Sequence, residues 1–116
     1  MGIIEFEASE VEYEEAIDGE IVQVCFDEDP DQDPFNRNQC YVMISQNYEF
    51  RVPPTIEWHD GENEGGGSEA LSYKLTKSRF ELTTKDGIKF MVQHNCREEA
   101  FTKIREFLQH EFGESK

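Results

Sequence analysis

The aspartates that follow residue 26 have the spacing with which a calcium-binding loop begins. Asp27, Asp29 and Asp31 alternate along the chain as the first three ligands of such a loop do. The sixth position would then be Gln32 instead of glycine, and the twelfth would be Asn38 instead of a bidentate glutamate. We therefore expect neither a metal ion nor another cofactor in this aspartate loop, whose carboxylates belong to Asp27, Glu28, Asp29, Asp31 and Asp33.

A histidine among carboxylates is the second candidate for chemistry. His59 lies between Trp58 and Asp60, and a cysteine nucleophile would need a thiol beside such an imidazole. The three thiols, of Cys25, Cys40 and Cys96, have no local signature of a cysteine–histidine pair. We expect no enzymatic activity. The alternative is a small cytosolic enzyme or metal-dependent domain that uses the His59 region and the aspartate loop, and it requires a concave site at His59.

The charge of the chain is large and unevenly distributed. Its 116 residues carry a formal charge of −15. Residues 1–35 hold thirteen acids and no lysine or arginine, whereas residues 36–116 hold thirteen acids and eleven bases. Such an acidic end repels nucleic acid and anionic lipid, so we expect neither nucleic acid nor a membrane as a partner. It would speed association with a basic protein, although the same charge also serves to keep a small domain in solution.

Two groups of residues are predicted to touch a partner protein. The first is the aspartate loop, because its dense carboxylates repel one another and two prolines limit its freedom. The second group is Trp58, His59, Asp60 and Glu62. Tryptophan is enriched among interface anchors, but Trp58 shares a strand face with Ile56, which leaves a place in the core as the alternative.

The cysteine usage and the N-terminal segment favour a cytoplasmic location. Three widely spaced cysteines form neither a disulfide framework nor a zinc-binding pattern, as is usual in a reducing compartment. The first residues lack the basic and apolar regions of a signal peptide. No segment approaches the roughly 18 apolar residues of a membrane span.

The C-terminal third has the clearest structural pattern. Apolar and polar residues alternate in residues 71–75, 80–84 and 88–92, which predicts a three-stranded meander with one buried face. Asp86-Gly87 predicts the second hairpin turn. Apolar residues then recur at helical spacing up to residue 112. Asn95 is expected to cap this helix in a capping box with Glu98, and Gly113 to end it.

Shorter strands are expected earlier, at residues 3–8, 20–26, 40–45 and 55–58. The acid-rich residues 9–19 leave helix and loop as alternatives, and residues 61–68, with three consecutive glycines, are predicted to be a flexible loop. The chain thus predicts one α+β domain over residues 1–116. It would contain a mostly antiparallel sheet of about six strands, with a C-terminal amphipathic helix packed on one face.

Several core-type motifs resemble a known family. Tyr41-Val42-Met43-Ile44-Ser45-Gln46 is similar to the aromatic-Leu-Met-Leu-Gln strand of the immunity protein 10 family of bacterial polymorphic toxin systems. Thr55-Ile56-Glu57-Trp58 and the glycines at 65–67 stand where that family has an Ile-Glu strand and a glycine-containing loop. Leu75, Phe80 and Leu82 resemble its following hairpin, and residues 22–27 its early strand that ends in an acid. The resemblance covers residues 3–90.

The resemblance implies an α+β protein without enzymatic activity that neutralises a toxin. Together with the acidic N-terminal end, it leads to the hypothesis of an immunity protein that binds one cognate bacterial toxin and blocks it by occlusion. Many such toxins are nucleases with basic clefts, which an acidic surface can fill in place of phosphate. A plain acidic protein-interaction domain with no toxin partner is the remaining alternative.

Overall fold

The computed structural model describes residues 2–28, 40–50, 53–61 and 63–113. This part of the chain forms nine strands followed by one helix. In chain order the elements are β1 (Gly2–Ala8), β2 (Glu10–Ala16), β3 (Ile21–Asp27), β4 (Cys40–Asn47), β5 (Thr55–Asp60), β6 (Glu64–Ser68), β7 (Ala70–Leu75), β8 (Arg79–Thr84), β9 (Ile88–His94) and α1 (Glu98–Phe112).

The strands form two sheets. One has the order β1-β9-β8-β7, in which β1 runs parallel to β9 and the other pairs are antiparallel. The other has the order β2-β3-β4-β5-β6 and is antiparallel throughout. The α+β class, the mostly antiparallel pairing and a C-terminal helix packed against the sheets are therefore confirmed. Nine described strands in two sheets stand where about six strands in one sheet were expected, in part because two segments not predicted as strands, residues 9–19 and 61–68, contain strands β2 and β6.

The core lies between the inner faces of the two sheets. Period-two alternation buries Val22, Val24 and Phe26 on β3, and Phe80 and Leu82 on β8. The rings of Phe26 and Phe80 stack across the core, with centroids 4.5 Å apart and planes 5° from parallel. Each of the two rings is fully buried, so this contact joins the sheets at a point closed to water.

The predicted meander is present as β7, β8 and β9. Its second turn follows Thr84, and Gly87 there adopts a φ of 93°, which glycine reaches without steric cost. The buried Thr84 hydroxyl donates to the Asp86 carboxylate and accepts the Ile88 N–H at 3.1 Å. The Asp-Gly turn is thus fixed by a side chain of the strand before it as well as by the glycine.

Helix α1 covers the remaining opening between the sheets, beside β2 and β7. Its apolar stripe buries Phe101, Ile104, Phe107 and Leu108. The C-terminal end is held by three polar contacts: the Tyr73 hydroxyl donates to the Gly113 carbonyl at 2.6 Å, and Tyr48 and Gln46 donate to the Glu111 carboxylate at 2.5 and 3.4 Å. Gly113 has a φ of 83° and ends the helix as predicted.

The predicted capping box at Asn95 is wrong. The helix begins at Glu98, its N-cap residue is Arg97 in an extended conformation, and no side chain caps it. The reason lies one residue earlier, in the buried His94. The Cys96 N–H donates to His94 Nδ1 at 3.3 Å. This bond holds the backbone on both sides of Asn95, where the cap was expected. Glu98 and Glu99 instead place negative charge in the first turn, where the helix dipole favours it.

The acid-rich segment is a strand, and neither alternative drawn from its sequence is correct. In β2, Val11 and Tyr13 pack against the core while the glutamates between them point outward. The predicted flexible loop at 61–68 is also largely strand, because β6 pairs with β5. Gly65 lies opposite Trp58, and a Cβ atom on Gly65 would stand 2.5 Å from Trp58 Cζ2. The tryptophan ring occupies the space that a side chain on β6 would need.

Gly65→Ala should therefore destabilise the fold by roughly 1–3 kcal/mol, because the added methyl overlaps the Trp58 ring. Gly66→Ala is the matched control one residue away, since its methyl would meet only the flexible Cγ of Glu57, at 3.2 Å. That variant should be neutral or slightly stabilising through the lower entropy of its unfolded chain. Urea unfolding measures both, and equal losses of stability would show that Trp58 does not fill the space beside Gly65.

His94 makes the free energy of unfolding depend on pH, and the direction of this dependence follows from its lowered pKa. Its Nε2–H donates to the Thr76 carbonyl at 2.9 Å, its ring contacts Phe26, and burial lowers its pKa from the ordinary 6.5. Between the lowered pKa and 6.5 the unfolded chain binds more protons than the folded chain, so the His94 contribution is complete above pH 6.5 and is lost as the pH falls.

His94→Gln should remove this part of the pH dependence, because glutamine keeps a donor for Thr76 and does not titrate. The free energy of unfolding of the wild type minus that of the variant should rise with pH below 6.5. Its slope should not exceed about 1.4 kcal/mol per pH unit, the limit for one proton. The control is His110→Gln, whose side chain is 73% exposed. A difference that is flat from pH 5 to 7 would contradict this role of His94.

Candidate functional site

The outward face of the five-stranded sheet brings together residues that lie far apart in the sequence. The pairing register places Glu10, Asp27, Tyr41, His59 and Glu64 in one row across the five strands. A second row holds Glu12, Cys25, Met43 and Glu57. We call the surface made by these nine residues the acidic face.

The charge on this surface is of one sign. Five of its nine residues are acids: Glu10, Glu12, Asp27, Glu57 and Glu64. Glu14 extends the same side of β2 by one more carboxylate. Among the described residues, no lysine or arginine occupies an outward position of β2 to β6. The opposite outer surface of the protein is mixed instead, with Lys89 and Glu81 paired at 3.6 Å on β9 and β8.

The carboxylates of β2 are close enough to affect one another. The pKa of Glu12 is raised, first by a hydrogen bond with the Glu10 side chain, then by burial, and then by the charges of Glu10, Glu14 and Asp27. A raised carboxyl pKa means that the folded state disfavours the ionised form. The ionised face therefore costs stability at neutral pH, and a cationic partner would relieve that repulsion.

The middle of the acidic face is less polar than its border. Tyr41 and His59 lie side by side on β4 and β5, with ring centroids 6.1 Å apart and planes 22° from parallel. Tyr41, Met43 and Cys25 are each partly buried, and burial is the main reason that the pKa of Tyr41 is raised. A partly buried aromatic and thioether centre within a polar border is the arrangement typical of protein-binding surfaces.

The chemistry of the thiols argues against a cysteine nucleophile. Burial and the carboxylates around it raise the pKa of Cys25 to about 12, and burial also raises the pKa of Cys40 and of Cys96. Thiols with raised pKa values stay protonated at neutral pH and are poor nucleophiles. In residues 2–28, 40–50, 53–61 and 63–113, no group of three His, Cys, Asp or Glu side chains has a metal-binding arrangement.

The structure separates the residues predicted to contact a partner. Asp27 and His59 lie together on the acidic face, and Glu28 follows Asp27, with its Oε1 accepting the Cys40 N–H at 3.3 Å. Asp60 lies at the end of β5, where its Oδ1 accepts the Asn63 N–H at 2.7 Å. The predictions for Asp29, Asp31, Asp33 and Glu62 fall outside the described residues.

Trp58 points to the other side of the strand from His59. Its ring lies against Phe90 of the opposite sheet, with centroids 6.1 Å apart, and the side chain packs on the core cluster. Of the two alternatives left open for Trp58, the structure places it with the core. His59 lies on the outward side of the sheet, and its Nδ1 accepts the Gly61 N–H at 3.0 Å.

Most of the acidic face was not predicted from the sequence. The residues that were not expected at the site are Glu10, Glu12, Tyr41, Glu57 and Glu64. The signal present in the sequence was the alternation of glutamates with Val11 and Tyr13, which places the acids on one side of a strand. Their juxtaposition with β5 and β6 depends on strand order, which local patterns do not specify.

Comparisons with known proteins found no relative of this chain. Neither a family model, nor a curated protein, nor a solved structure matches the chain. Within the part of the chain that the structure describes, no helix has the length and apolar character to cross a membrane.

Glu12→Gln should raise the free energy of unfolding by roughly 0.2–1 kcal/mol at low salt, because it removes the repulsion between Glu12 and the carboxylates of Glu10 and Glu14 on the same strand and of Asp27 on β3. The gain should shrink at high salt, where charges are screened. Glu98→Gln is the contrasting control with the same change of charge, since it removes a favourable charge from the first turn of α1 and should lower stability. Urea unfolding at two salt concentrations measures both, and a loss of stability in Glu12→Gln would contradict the repulsion.

Proposed function

We propose that the protein is a protein-binding module whose acidic face captures a basic partner. The observation that supports this is the uniform negative charge around the partly buried pair Tyr41 and His59. Folding gains nothing from six neighbouring carboxylates, whose repulsion the apolar core must offset. A surface that carries this cost is explained when the charge acts on something outside the molecule.

The two parts of the face would have different roles in binding. The bordering carboxylates Glu57 and Glu64 attract a cationic surface over a distance and so raise the association rate. The centre at Tyr41 and Met43 then excludes water from the contact and slows dissociation. Both contributions fall on one rigid sheet, which keeps the ordering cost of binding low.

The identity of the partner follows from the family resemblance and is part of the proposal. We propose that the partner is a cognate bacterial toxin and that the protein is an immunity protein acting in the cytoplasm. A basic toxin cleft that normally holds phosphate would be occluded by the carboxylates of the acidic face. Met43 and Glu57 belong both to the motifs that resemble the immunity protein 10 family and to this face.

The direct test uses a toxin-like domain, which the immunity function predicts to be encoded by the gene beside that of this protein. Its association and dissociation rates with the wild type are compared with those of Glu57→Lys/Glu64→Lys, at about 20 mM and about 500 mM salt. The double variant should associate at least about tenfold more slowly at low salt and differ little at high salt, because the change acts through long-range charge. Tyr41→Ala should instead raise the dissociation rate by at least about tenfold.

Two control variants test whether the change in association rate depends on the acidic face. Glu5→Lys/Glu7→Lys makes the same change of net charge on β1 of the other sheet, and both side chains are exposed. It should leave the association rate within about threefold of the wild type. Neutralising Asp29, Asp31 and Asp33 to Asn tests the aspartate loop in the same assay. If the β1 variant and the acidic-face variant slow association equally, the acidic face is not the interface.

A toxicity assay tests whether binding neutralises a toxin, which binding measurements alone do not establish. Co-expression of the wild type should protect cells from the toxin domain, and Glu57→Lys/Glu64→Lys should protect them much less. A toxin-like neighbour that binds neither the wild type nor its variants, with no protection of cells, would contradict the immunity function. The acidic face would then be the surface of an interaction domain for another basic protein.

A further inference from the structure

A groove runs between strand β2 and the first half of helix α1. It has a volume of about 580 Å³ and is lined by Ser9, by residues 10–14 of the strand and, on the helix side, by Asn95, Cys96, Arg97, Glu99, Ala100 and Lys103. Val11 and Tyr13 face it from the strand, and Cys96 and Ala100 face it from the helix side. The helix side also carries Arg97 and Lys103, and Lys103 Nζ lies 5.8 Å from the centre of the Tyr13 ring.

Strand β2 is the last strand of its sheet on this side, so one of its edges faces the groove. Glu28 and Cys40 lie opposite one another where β3 pairs with β4, and the Glu28 N–H donates to the Cys40 carbonyl at 2.9 Å. They therefore form a hydrogen-bonded pair of this antiparallel ladder. Because such pairs alternate, Cys25 and Asp27 direct their backbone groups to β2, where they meet Glu12 and Glu10. Val11 and Tyr13 therefore direct their N–H and C=O groups away from β3, and no described backbone group bonds to them there.

An added strand would meet two different environments. On one side its residues would lie beside Glu10, Glu12 and Glu14, where cross-strand neighbours are about 5 Å apart. On the other side its residues would enter the groove beside Val11, Tyr13 and Ala100. On the helix wall of the groove the two cations Arg97 and Lys103 outnumber the one carboxylate, Glu99, so this wall disfavours further cations. The edge thus selects an alternation of basic and uncharged residues.

The same charges exclude pairing between two copies of this chain. Antiparallel pairing of two β2 edges would place glutamates opposite glutamates at every outward position from 10 to 14. Like charges directly opposite one another destabilise a strand pair. The occupant that fits must therefore carry positive charge where β2 carries negative charge.

We propose that the β2 edge and the α1 groove form a strand-addition site for an extended, unfolded peptide segment of another protein, with basic residues at alternate positions and small or apolar residues between them. The backbone of the segment would pair with Val11 and Tyr13, its cations would contact the β2 glutamates, and its apolar side chains would fill the groove. This site is distinct from the centre of the acidic face and does not depend on the partner being a toxin.

Binding of a synthetic peptide to the wild-type protein tests the proposal. The probe is an octapeptide with blocked termini and a fluorescent label, with lysines at four alternate positions and valine or threonine at the other four. It should bind saturably at about 150 mM salt. The isomer with four consecutive lysines should bind at least about tenfold more weakly, because its charges cannot all lie on one side of a strand.

Backbone methylation tests strand pairing without altering the protein. One peptide is N-methylated at two apolar positions, and a second at two lysine positions. Only one of these sets can face β2, the apolar set in antiparallel pairing and the lysine set in parallel pairing. Exactly one methylated peptide should lose binding. In hydrogen-exchange NMR, the unmethylated peptide should slow the exchange of the Val11 and Tyr13 amides and leave that of Glu12 unchanged.

Glu10 and Glu12 belong to the acidic face as well, so charge variants are chosen to distinguish its β2 edge from its β5 and β6 end, which the proposed function uses. Glu10→Lys/Glu14→Lys should weaken binding of the alternating peptide at least about tenfold. Glu57→Lys/Glu64→Lys, with the same change of charge on β5 and β6, should leave it within about threefold. Equal binding of the two lysine isomers, equal effects of the two methylated peptides, or unchanged exchange at Val11 and Tyr13 would each overturn the strand-addition site. None of these results would affect the test with the toxin domain.

Discussion

The stack of Phe26 on Phe80 is the contact on which the rest of the structure depends. It joins β3, an interior strand of the five-stranded sheet, to β8, an interior strand of the four-stranded sheet, and each ring has no exposed surface. Because side chains alternate along a strand, the burial of Phe26 determines which way each neighbouring residue on β3 points. Pairing carries this choice to β2, β4 and β5. A shift of one residue would turn the carboxylates inward and the apolar side chains into water.

The outward position of the carboxylates is a consequence of this arrangement, and the repulsion between them lowers the stability of the fold. Cys25 and Asp27 flank Phe26 on β3 and point outward, where they meet Glu12 and Glu10. The pKa of Glu12 is raised by its hydrogen bond with the Glu10 side chain, by burial and by the charges of Glu10, Glu14 and Asp27, so the folded state disfavours its ionised form. Apolar burial, at about 25 cal/mol for each Å² removed from water, exceeds the small repulsion between exposed charges. The fold can therefore carry an acidic surface that local energetics alone would not select.

The sequence predicted the meander and the helix because their signals are local. The alternation around Phe80 and Phe90, the Asp-Gly turn and the apolar stripe of α1 each lie within a few residues. It failed where the deciding contact was distant. Glutamates have weak strand preference, so β2 depends on pairing with β3. The glycines of β6 depend on the Trp58 ring, and the start of α1 depends on the burial of His94. The acidic face combines residues from 10 to 64, and only strand order brings them together.

Two methionines provide the most direct test of which surface binds. Met43 lies in the centre of the acidic face, whereas Met91 lies on the outward side of the other sheet, between Glu5 and Glu81. NMR of protein with ¹³C-labelled methionine methyl groups, titrated with the toxin-like domain that the immunity function predicts the neighbouring gene to encode, reports on both surfaces at once. We predict that the Met43 signal shifts or broadens while the Met91 signal stays unchanged. A response at Met91 with none at Met43 would contradict it.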